Sequence, residues 1–303
     1  MVTVSVIVTV YNSETTIEKV ISRIKNQSGV NIDFELEIIV IDDCSTDKSY
    51  SILKQMGVKL YKNKINSGGP NKGRNFGLKL AKGDFICFCD HDDLWNKDKI
   101  IKMLEFRNLA PIISSGYSVN DFLNSRTFNR VKNSSKSKYL KYEKNISFFS
   151  KLTKNNSGQN LYLGSLMIHK NLSKIKFEED FGMVDYDWIL KILHNNSSIE
   201  VCEALYTRKI NEGNLSLDRD YRKNDFEITH NAIKSFSQLY QKKSAIGIKK
   251  LHGSYARYFY LVGDMFNART HFLKSDFSLK NILYFITTFA GSKIVKKYFN
   301  VFG

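Results

Sequence analysis

Two carboxylates separated by one residue follow an apolar segment in the first third of the chain. Residues 85–89 are apolar, and Asp90, His91, Asp92 and Asp93 come directly after them. In extended backbone, residues i and i+2 point the same way, so Asp90 and Asp92 converge. Their oxygens suit a hard divalent cation, Mn²⁺ or Mg²⁺, that bridges to a diphosphate. A solvated acidic turn, with Asp93 capping the next helix, is the alternative interpretation.

A second acidic pair ends another apolar run. Asp42 and Asp43 follow residues 37–41. Capping of the next helix by Ser45 or Asp47 explains part of this cluster. The two consecutive carboxylates remain available to accept hydrogen bonds from a nucleobase or a ribose hydroxyl.

A glycine-rich segment at residues 66–75 carries Lys72 and Arg74. A glycine loop that enters a helix can approach phosphate groups, and an arginine can neutralise them. The spacing matches neither a Walker loop nor a Rossmann fingerprint. Taken alone, the segment is therefore a weak indication of phosphate binding.

Apolar segments alternate with amphipathic ones over the first ninety residues. Predicted strands at 4–8, 37–41, 58–61 and 85–89 are separated by predicted helices. This alternation predicts βαβ units and an α/β fold with a mostly parallel sheet flanked by helices. The polar clusters follow the carboxyl ends of the strands, where open α/β sheets bind ligands. Residues 118–160 resist assignment, and helices are predicted beyond a boundary near Asp218.

Charge and cysteine usage limit the class of protein. The formal net charge of +16 favours polyanionic partners, but no known nucleic-acid-binding signature occurs, so we expect no nucleic acid. The four cysteines lack a C-x-x-C pair and fit reduced thiols in a cytoplasmic protein. The N-terminus predicts no signal peptide, and no apolar run has the length of a bilayer span.

Taken in order, these motifs resemble those of glycosyltransferase family 2, which has the GT-A fold. The resemblance is carried by residues 4–12, 38–47, 73–75 and 81–95. It implies a nucleotide-binding set at Thr9, Tyr11, Asp42, Asp43, Arg74 and Asp90. It also implies a divalent metal, Mn²⁺ or Mg²⁺, held by Asp92 with Asp90 beside it.

Residues 184–191 resemble the acceptor-side motif of the family, in which a Glu-Asp pair opens a helix and the Asp is the catalytic base. Asp185 matches that Asp, whereas Val184 replaces the usual Glu. Asp187 is therefore the alternative base, and a simple helix cap at Asp185 is the structural alternative. Residues 206–216 resemble the loop over the donor diphosphate. Arg208 is a weak candidate there, because the histidine usual in that loop is absent.

The resemblance implies an inverting transfer from a nucleotide-sugar, a UDP-sugar by expectation, to a hydroxyl of a saccharide or lipid-linked saccharide. The expected setting is bacterial surface polysaccharide synthesis: O-antigen, capsule or lipooligosaccharide. The expected organisation is a catalytic domain at 1–218, with a nucleotide-sugar half at 1–117 and an acceptor half at 118–218, followed by a helical extension at 219–303. A nucleotidyltransferase and a non-catalytic nucleotide-sugar- or polyanion-binding module are the rival interpretations.

Lysines and aromatic residues are interspersed beyond Asp220, a pattern typical of an anionic membrane surface. Residues 281–290 are nearly all apolar but too short to span a bilayer. Aromatic residues at 255–272 fit either that surface or a helical core. The segment after Leu279, with basic Lys293, Lys296 and Lys297, is the better membrane candidate. We therefore expect a cytoplasmic protein, peripheral at the cytoplasmic face of the inner membrane.

Overall fold

A computed structural model describes residues 1–122, 125–132, 137–210 and 218–290. Strands and helices alternate over the first ninety residues, as predicted. The elements are β1 (Val2–Val10), α1 (Ile17–Lys25), β2 (Phe34–Asp42), α2 (Ser49–Gln55), β3 (Lys59–Lys62), α3 (Pro70–Leu80) and β4 (Phe85–Asp90). β1 lies between β2 and β4 and is parallel to both, and β3 pairs in parallel with the outer side of β2.

The helix α3 lies unusually close to β1. A Cβ atom added at Gly77 would come within 2.4 Å of Cγ2 of Ile7. A Cβ atom at Gly73 would come within 2.8 Å of Cγ2 of Thr9. Only glycine fits at such distances, because Ile7 and Thr9 are buried and β-branched side chains have little rotamer freedom. The two glycines thus bring the polar residues of α3 close to the carboxyl end of β1.

The second part of the sheet is mixed. Its elements are β5 (Leu94–Trp95), α4 (Lys99–Leu104), β6 (Ile112–Asp121), β7 (Arg126–Arg130), β8 (Tyr139–Tyr142), α5 (Ile146–Leu152), β9 (Met167–His169), α6 (Tyr186–Leu193) and β10 (Ser198–Ile210). The order across the sheet is β3-β2-β1-β4-β9-β6-β10-β5, with β7 beside β6 and β8 beside β10. β6 and β10 are parallel, whereas β5, β7, β8 and β9 pair antiparallel. The α/β class is confirmed, and residues 112–142 add antiparallel strands that the sequence did not predict.

Contacts divide the chain into two compact units. The first comprises Met1–Phe148 and Gly158–Asn214, and the second comprises Phe149–Ser157 and Leu215–Gly303. The predicted assignment of donor and acceptor halves within the first unit stays a prediction.

The second unit contains α7 (Arg219–Ser235), α8 (Gln241–Val262), α9 (Met265–Leu273) and α10 (Leu279–Thr287). The side chain of Asp218 caps α7, and Gly263 ends α8 in the left-handed conformation. The core of this unit is largely aromatic: Tyr255, Tyr258, Phe259, Tyr260, Phe272 and Tyr284. These rings therefore form a helical core, whereas Phe266 in the same range is exposed. Among the described helices, none combines the length and apolarity that crossing a bilayer requires.

Candidate active site

The carboxyl ends of three adjacent parallel strands bring four of the predicted site residues to one edge of the sheet. Thr9 at the end of β1 pairs in register with Asp90 of β4. On its other side, Val10 pairs with Asp42 of β2. The backbone N–H of Asp43 donates to the Val10 carbonyl at 2.7 Å, so Asp43 lies at the same edge. The fold thus brings together acidic clusters that are distant in the sequence.

The turn after β1 is tied to the segment after β2. Asn12 adopts a left-handed conformation, with φ of 46°. Its side-chain oxygen accepts from the backbone N–H of Thr46 at 2.9 Å, and its own N–H donates to Oγ of Ser45 at 3.0 Å. These bonds fix the turn while the neighbouring Tyr11 side chain remains exposed at the site edge.

The two consecutive carboxylates of this edge have different surroundings. Asp43 accepts hydrogen bonds from the Asn63 amide at 2.6 Å and from the N–H and hydroxyl of Ser67 at 3.0 and 2.9 Å. It therefore organises the segment that follows β3. Oδ2 of Asp42 accepts from the Ser45 N–H at 3.3 Å, whereas its Oδ1 is buried and, within the described residues, has no hydrogen-bond partner. A buried acceptor of this kind is uncommon in folded proteins and often belongs to a functional site.

Arg74 is buried beside the end of β4. One guanidinium nitrogen donates to Oδ1 of Asp90 at 2.8 Å, and another donates to Oδ1 of Asn71 at 3.0 Å. The guanidinium also lies over the ring of Phe177, 5.6 Å from its centroid. A buried charge is costly unless it is paired, and these contacts compensate it.

The turn after β4 concentrates carboxylates. Asp93 is buried and does not cap α4, whose N-cap residue is Asp98, so the capping alternative is wrong. Burial, together with the nearby charges of Asp90 and Asp92, raises the pKa of Asp93 well above its ordinary value. Nδ1 of His91 is also buried and, in the described part of the chain, has no hydrogen-bond partner.

The oxygen donors of this turn fit a divalent cation. Among the described residues, no group of three or more His, Cys, Asp or Glu side chains gathers as a ready metal site. Mg²⁺ and similar ions commonly take only one or two protein carboxylates, and substrate phosphates and water complete the coordination. Asp90 and Asp92 are two carboxylates that would hold such an ion, and its charge would counter the crowding of negative charge around Asp93.

A lysine is buried beneath this turn. Lys99 has its ammonium group 4.2 Å from the centroid of the Trp95 ring and 3.5 Å from Sδ of Met103. Burial lowers the pKa of Lys99, and its neighbours Cys87, Cys89 and Asp93 only partly oppose this effect. Desolvation is therefore the dominant influence on both Asp93 and Lys99, and it favours the neutral form of each.

Asp185 occupies the N-cap position of α6. In the described structure its side chain makes no capping hydrogen bond to the first turn of the helix, which disfavours the simple cap. Asp187, the alternative base, forms an ion pair with Lys191 at 2.6 Å. The helix is anchored by Trp188, whose ring stacks on Phe177 with centroids 4.4 Å apart.

Three polar residues that the sequence did not single out for the site connect α3 to the segment before α6. Asn75 binds both backbone groups of Phe177, accepting from its N–H at 2.9 Å and donating to its carbonyl at 3.0 Å. Asn71, also on α3, donates to the backbone carbonyls of Glu178 and Val184 in the same segment. The available signal was the spacing of Asn71 and Asn75, which places two amides on one face of a predicted helix.

Arg208 lies near the end of β10. Its guanidinium donates to the hydroxyl of Tyr162 at 3.2 Å and lies 5.0 Å from the centroid of that ring. The rest of the predicted loop over the diphosphate, residues 211–216, lies outside the described residues.

Comparison with known proteins places this site in a family. The family model described as "Glycosyl transferase family 2" matches residues 5–166, more than half of the chain. The chain belongs to glycosyltransferase family 2. This family segment contains both acidic clusters and Arg74, whereas Asp185 lies beyond it.

Relatives of this family-2 chain include bacterial transferases. A segment of 104 residues is 39% identical to the poly(ribitol-phosphate) β-N-acetylglucosaminyltransferase TarS of Staphylococcus aureus, covering 33% of this chain and 18% of TarS. A segment of 145 residues is 32% identical to the glucosyltransferase WfaP of Escherichia coli, covering 46% of this chain and 56% of WfaP. The matched segments span less than two thirds of either relative.

Solved structures share the fold over nearly the whole chain. TarS residues 1–349 in complex with UDP-GlcNAc superimpose with a TM-score of 0.57 at 19% identity, covering 98% of this chain and 92% of that one. The mannosyltransferase PcManGT of Pyrobaculum calidifontis, in complex with GDP-Man and Mn²⁺, gives 0.59 at 16% identity, covering 99% and 81%. At these identities the likeness establishes the fold alone, and it confirms the GT-A type for this family-2 chain.

The buried Lys99 yields a stability prediction. Because its folded-state pKa is lowered, wild-type stability should rise with pH through the interval between that pKa and the unfolded value of about 10.4. Lys99→Met should leave the free energy of unfolding at neutral pH unchanged or raise it, because the buried ammonium group is removed. Urea titrations at several pH values would measure both effects, with Lys102→Met, a partly exposed lysine on the same helix, as the control. A loss of about 3–5 kcal/mol in Lys99→Met would instead mean a charged pair with Asp93.

Proposed function

We propose that this chain is an inverting, metal-dependent glycosyltransferase of bacterial surface polysaccharide synthesis. It moves a sugar from a UDP-sugar to a hydroxyl of a saccharide or lipid-linked saccharide. The observation that carries this proposal is the ion pair of Arg74 with Asp90. The pair lies at the sheet edge that also holds Asp42 and Asp43, and α3 connects it to the segment before Asp185.

The named relatives support this choice of substrates. TarS is named for β-N-acetylglucosaminyl transfer to poly(ribitol-phosphate), and its structure contains UDP-GlcNAc. WfaP is named for β-1,3-glucosyl transfer from UDP-Glc to a GlcNAc-diphosphoundecaprenol. Both names specify a β-linked product. We expect a β-linked product here as well, formed from an α-linked donor by a single displacement with inversion.

The nucleoside would bind at the ends of β1 and β2. Tyr11 offers an exposed ring, and the unused Oδ1 of Asp42 offers an acceptor to a ribose hydroxyl or base N–H. Asp43, predicted at the base, is held by Asn63 and Ser67, so base binding would exchange one of these contacts. Thr9 lies between the two strands that carry the carboxylates.

The diphosphate would bind between Arg74 and the turn after β4. Asp92, with Asp90 beside it, would hold Mn²⁺ or Mg²⁺. The cation neutralises charge on the leaving nucleotide when it is bound. Arg74 orients Asp90 and adds a second positive charge in a buried setting, where electrostatic stabilisation is strongest. Arg208, at the end of β10, stays a weaker candidate for a further diphosphate contact.

Asp185 is the proposed base. It accepts the proton of the acceptor hydroxyl, whose oxygen bonds to the anomeric carbon as the bond to the diphosphate oxygen breaks. Asp187, the alternative base, forms an ion pair with Lys191. The scheme requires no covalent nucleophile. Burial raises the pKa values of the Cys87 and Cys89 thiols, so neither is a ready thiolate.

Product analysis with a labelled donor tests this function. Transfer of the sugar to an acceptor, with a product coupling constant of the β anomer by NMR, is the expected result. Transfer of the nucleotide would instead identify a nucleotidyltransferase, and binding without turnover would identify a non-catalytic module. Retention of configuration would contradict the proposed base.

We also propose that the helical unit contacts an anionic membrane at the cytoplasmic face of the inner membrane. α10 is two-sided: Asn281 and Tyr284 face the core of the unit, whereas Ile286 is exposed. Exposed apolar side chains also occur within this helix at Leu279, Ile282 and Leu283, before it at Phe277 and after it at Phe289. Lys274 and Lys280 lie among them, and the net charge is +16. Apolar side chains beside lysines favour an anionic lipid surface. The predicted contributions of Lys293, Lys296 and Lys297 lie outside the described residues.

Metal dependence is tested at Asp92. Asp92→Ala should abolish transfer without a change in melting temperature, because it removes the proposed metal ligand at a partly exposed position. Asp33→Ala is the control: Asp33 is an exposed carboxylate far from Asp92 in the sequence, and this variant should remain active. EDTA should inhibit the wild type, and Mn²⁺ or Mg²⁺ should restore it. Full activity in excess chelator would rule out the metal.

The two candidate bases are separated by matched substitutions. Asp185→Asn should reduce turnover by at least ~10²-fold with donor affinity nearly unchanged, because it removes only the proton acceptor. Asp187→Asn should have a smaller effect. Steady-state kinetics and donor calorimetry would measure both. If Asp187→Asn is inactive and Asp185→Asn is active, Asp187 is the base and not Asp185.

Membrane contact is tested by liposome co-sedimentation. The full chain should sediment with anionic liposomes and be released by salt. Phe277→Ser with Phe289→Ser should weaken the association by at least ~10-fold, because each buried aromatic contributes roughly 1.5–3 kcal/mol. Ile32→Ser, an exposed apolar residue of the other unit, is the control. Recovery of the wild type in the supernatant, regardless of salt, would refute the contact.

A further inference from the structure

Asn71 links the donor side of the proposed site to the segment that carries Asp185. Its side chain is fully buried in the first turn of α3. On one side, its Oδ1 accepts from the Arg74 guanidinium at 3.0 Å. On the other side, its Nδ2 donates to the Val184 carbonyl at 3.0 Å and to the backbone and side-chain oxygens of Glu178 at 2.9 and 3.1 Å. One amide therefore contacts both halves of the proposed chemistry.

Glu178 holds the turn that leads to Asp185. Its carboxylate accepts from the backbone N–H groups of Phe181 at 3.1 Å, Gly182 at 3.2 Å and Val184 at 3.2 Å. The N–H of Val184 is thus bound by Glu178, while its carbonyl is bound by Asn71. Hydrogen bonds therefore fix the peptide groups on both sides of Val184, the residue before Asp185.

The backbones of the two segments also meet directly. The N–H of Asn71 donates to the Gly182 carbonyl at 2.9 Å. A Cβ atom added at Gly69 would lie 2.4 Å from that same carbonyl oxygen. The first turn of α3 and the turn at residues 178–184 therefore form one packed unit, with no space for a side chain or water between them at this point.

We propose that Asn71 is a positioning residue: with Glu178, it sets the place of Asp185 relative to the Arg74–Asp90 pair. The inference rests on the proposed function, in which Asp185 must reach the acceptor hydroxyl while Arg74 and Asp90 hold the leaving group. A base acts only within hydrogen-bond reach, so a small displacement of its backbone lowers the rate of transfer strongly. Asn71 supplies a donor and an acceptor at one buried position, and these fix the separation of the two groups.

The test uses a substitution of nearly the same shape. Asn71→Asp keeps the acceptor for Arg74 but replaces the donor to Val184 and Glu178 by a repelling oxygen. It should lower kcat for transfer by on the order of 10²-fold. Affinity for UDP with Mn²⁺, measured by calorimetry, should change less than ~3-fold, since a tenfold change would correspond to 1.4 kcal/mol of lost donor contact. Lys79→Ala, an exposed change on the same helix, is the control and should behave as wild type.

A double-mutant cycle separates positioning from general damage. If Asn71 acts through Asp185, Asn71→Asp should cause little further loss of transfer in an Asp185→Asn background. Glu178→Gln should reproduce the pattern of Asn71→Asp, because its amide cannot accept from all the same N–H groups. Unchanged kcat in Asn71→Asp, equal losses in kcat and UDP affinity, or additive losses in the cycle would each overturn the proposal. Absence of transfer by the wild type would instead refute the proposed function.

Discussion

A positive charge held away from water is the constraint on which the site depends. The guanidinium of Arg74 must satisfy its donors within the protein, and it does so with Asp90 and Asn71. Reaching Asp90 at the end of β4 requires α3 to lie against β1, and Gly73 and Gly77 permit this approach. The helix, the strand and the acidic turn are therefore parts of one arrangement, since none can move alone without leaving the charge unpaired.

This arrangement divides the proposed work between two kinds of structure. The donor-side residues stand at the ends of strands β1, β2 and β4, whose backbone is fixed by pairing on both sides. The proposed base belongs to a turn without ladder hydrogen bonds, so side chains must supply what pairing supplies elsewhere. Asn71, Asn75 and Glu178 do this by binding the backbone of residues 177–184. The aromatic stack of Phe177 on Trp188 then fastens the turn to α6.

Much of the first ninety residues could be predicted from the sequence. β1, β2 and β4 are buried on both faces, so they appear as continuous apolar runs, and their polar ends mark the site edge. The acidic residues after these runs were identified for the same reason. The strand β7 is largely polar, and β8 has only four residues, so neither carries a hydrophobic alternation long enough to detect.

The burial of Asp93 and the connecting role of Asn71 could not be predicted, because both depend on residues distant in sequence. A Cβ atom at Gly164 would lie 2.4 Å from Oδ2 of Asp93, so the chain seventy residues later closes over that carboxylate. Asn71 is a polar residue of α3, and periodicity alone would place its side chain on the surface. Its partners at 178 and 184 become neighbours only when β9 and α6 are added to the sheet. Local pattern identifies elements, whereas contacts of this kind require the topology.

The close approach of Gly69 to Gly182 bears on how this scaffold can be recombined. With 2.4 Å between a hypothetical Gly69 Cβ and the Gly182 carbonyl oxygen, neither loop tolerates a bulkier backbone path from another protein. Chimeras that exchange the loop before α3 alone, or the turn before α6 alone, would bring together two surfaces that are not sterically complementary. Loop grafting intended to change the sugar or the acceptor must therefore transfer both segments as a single module.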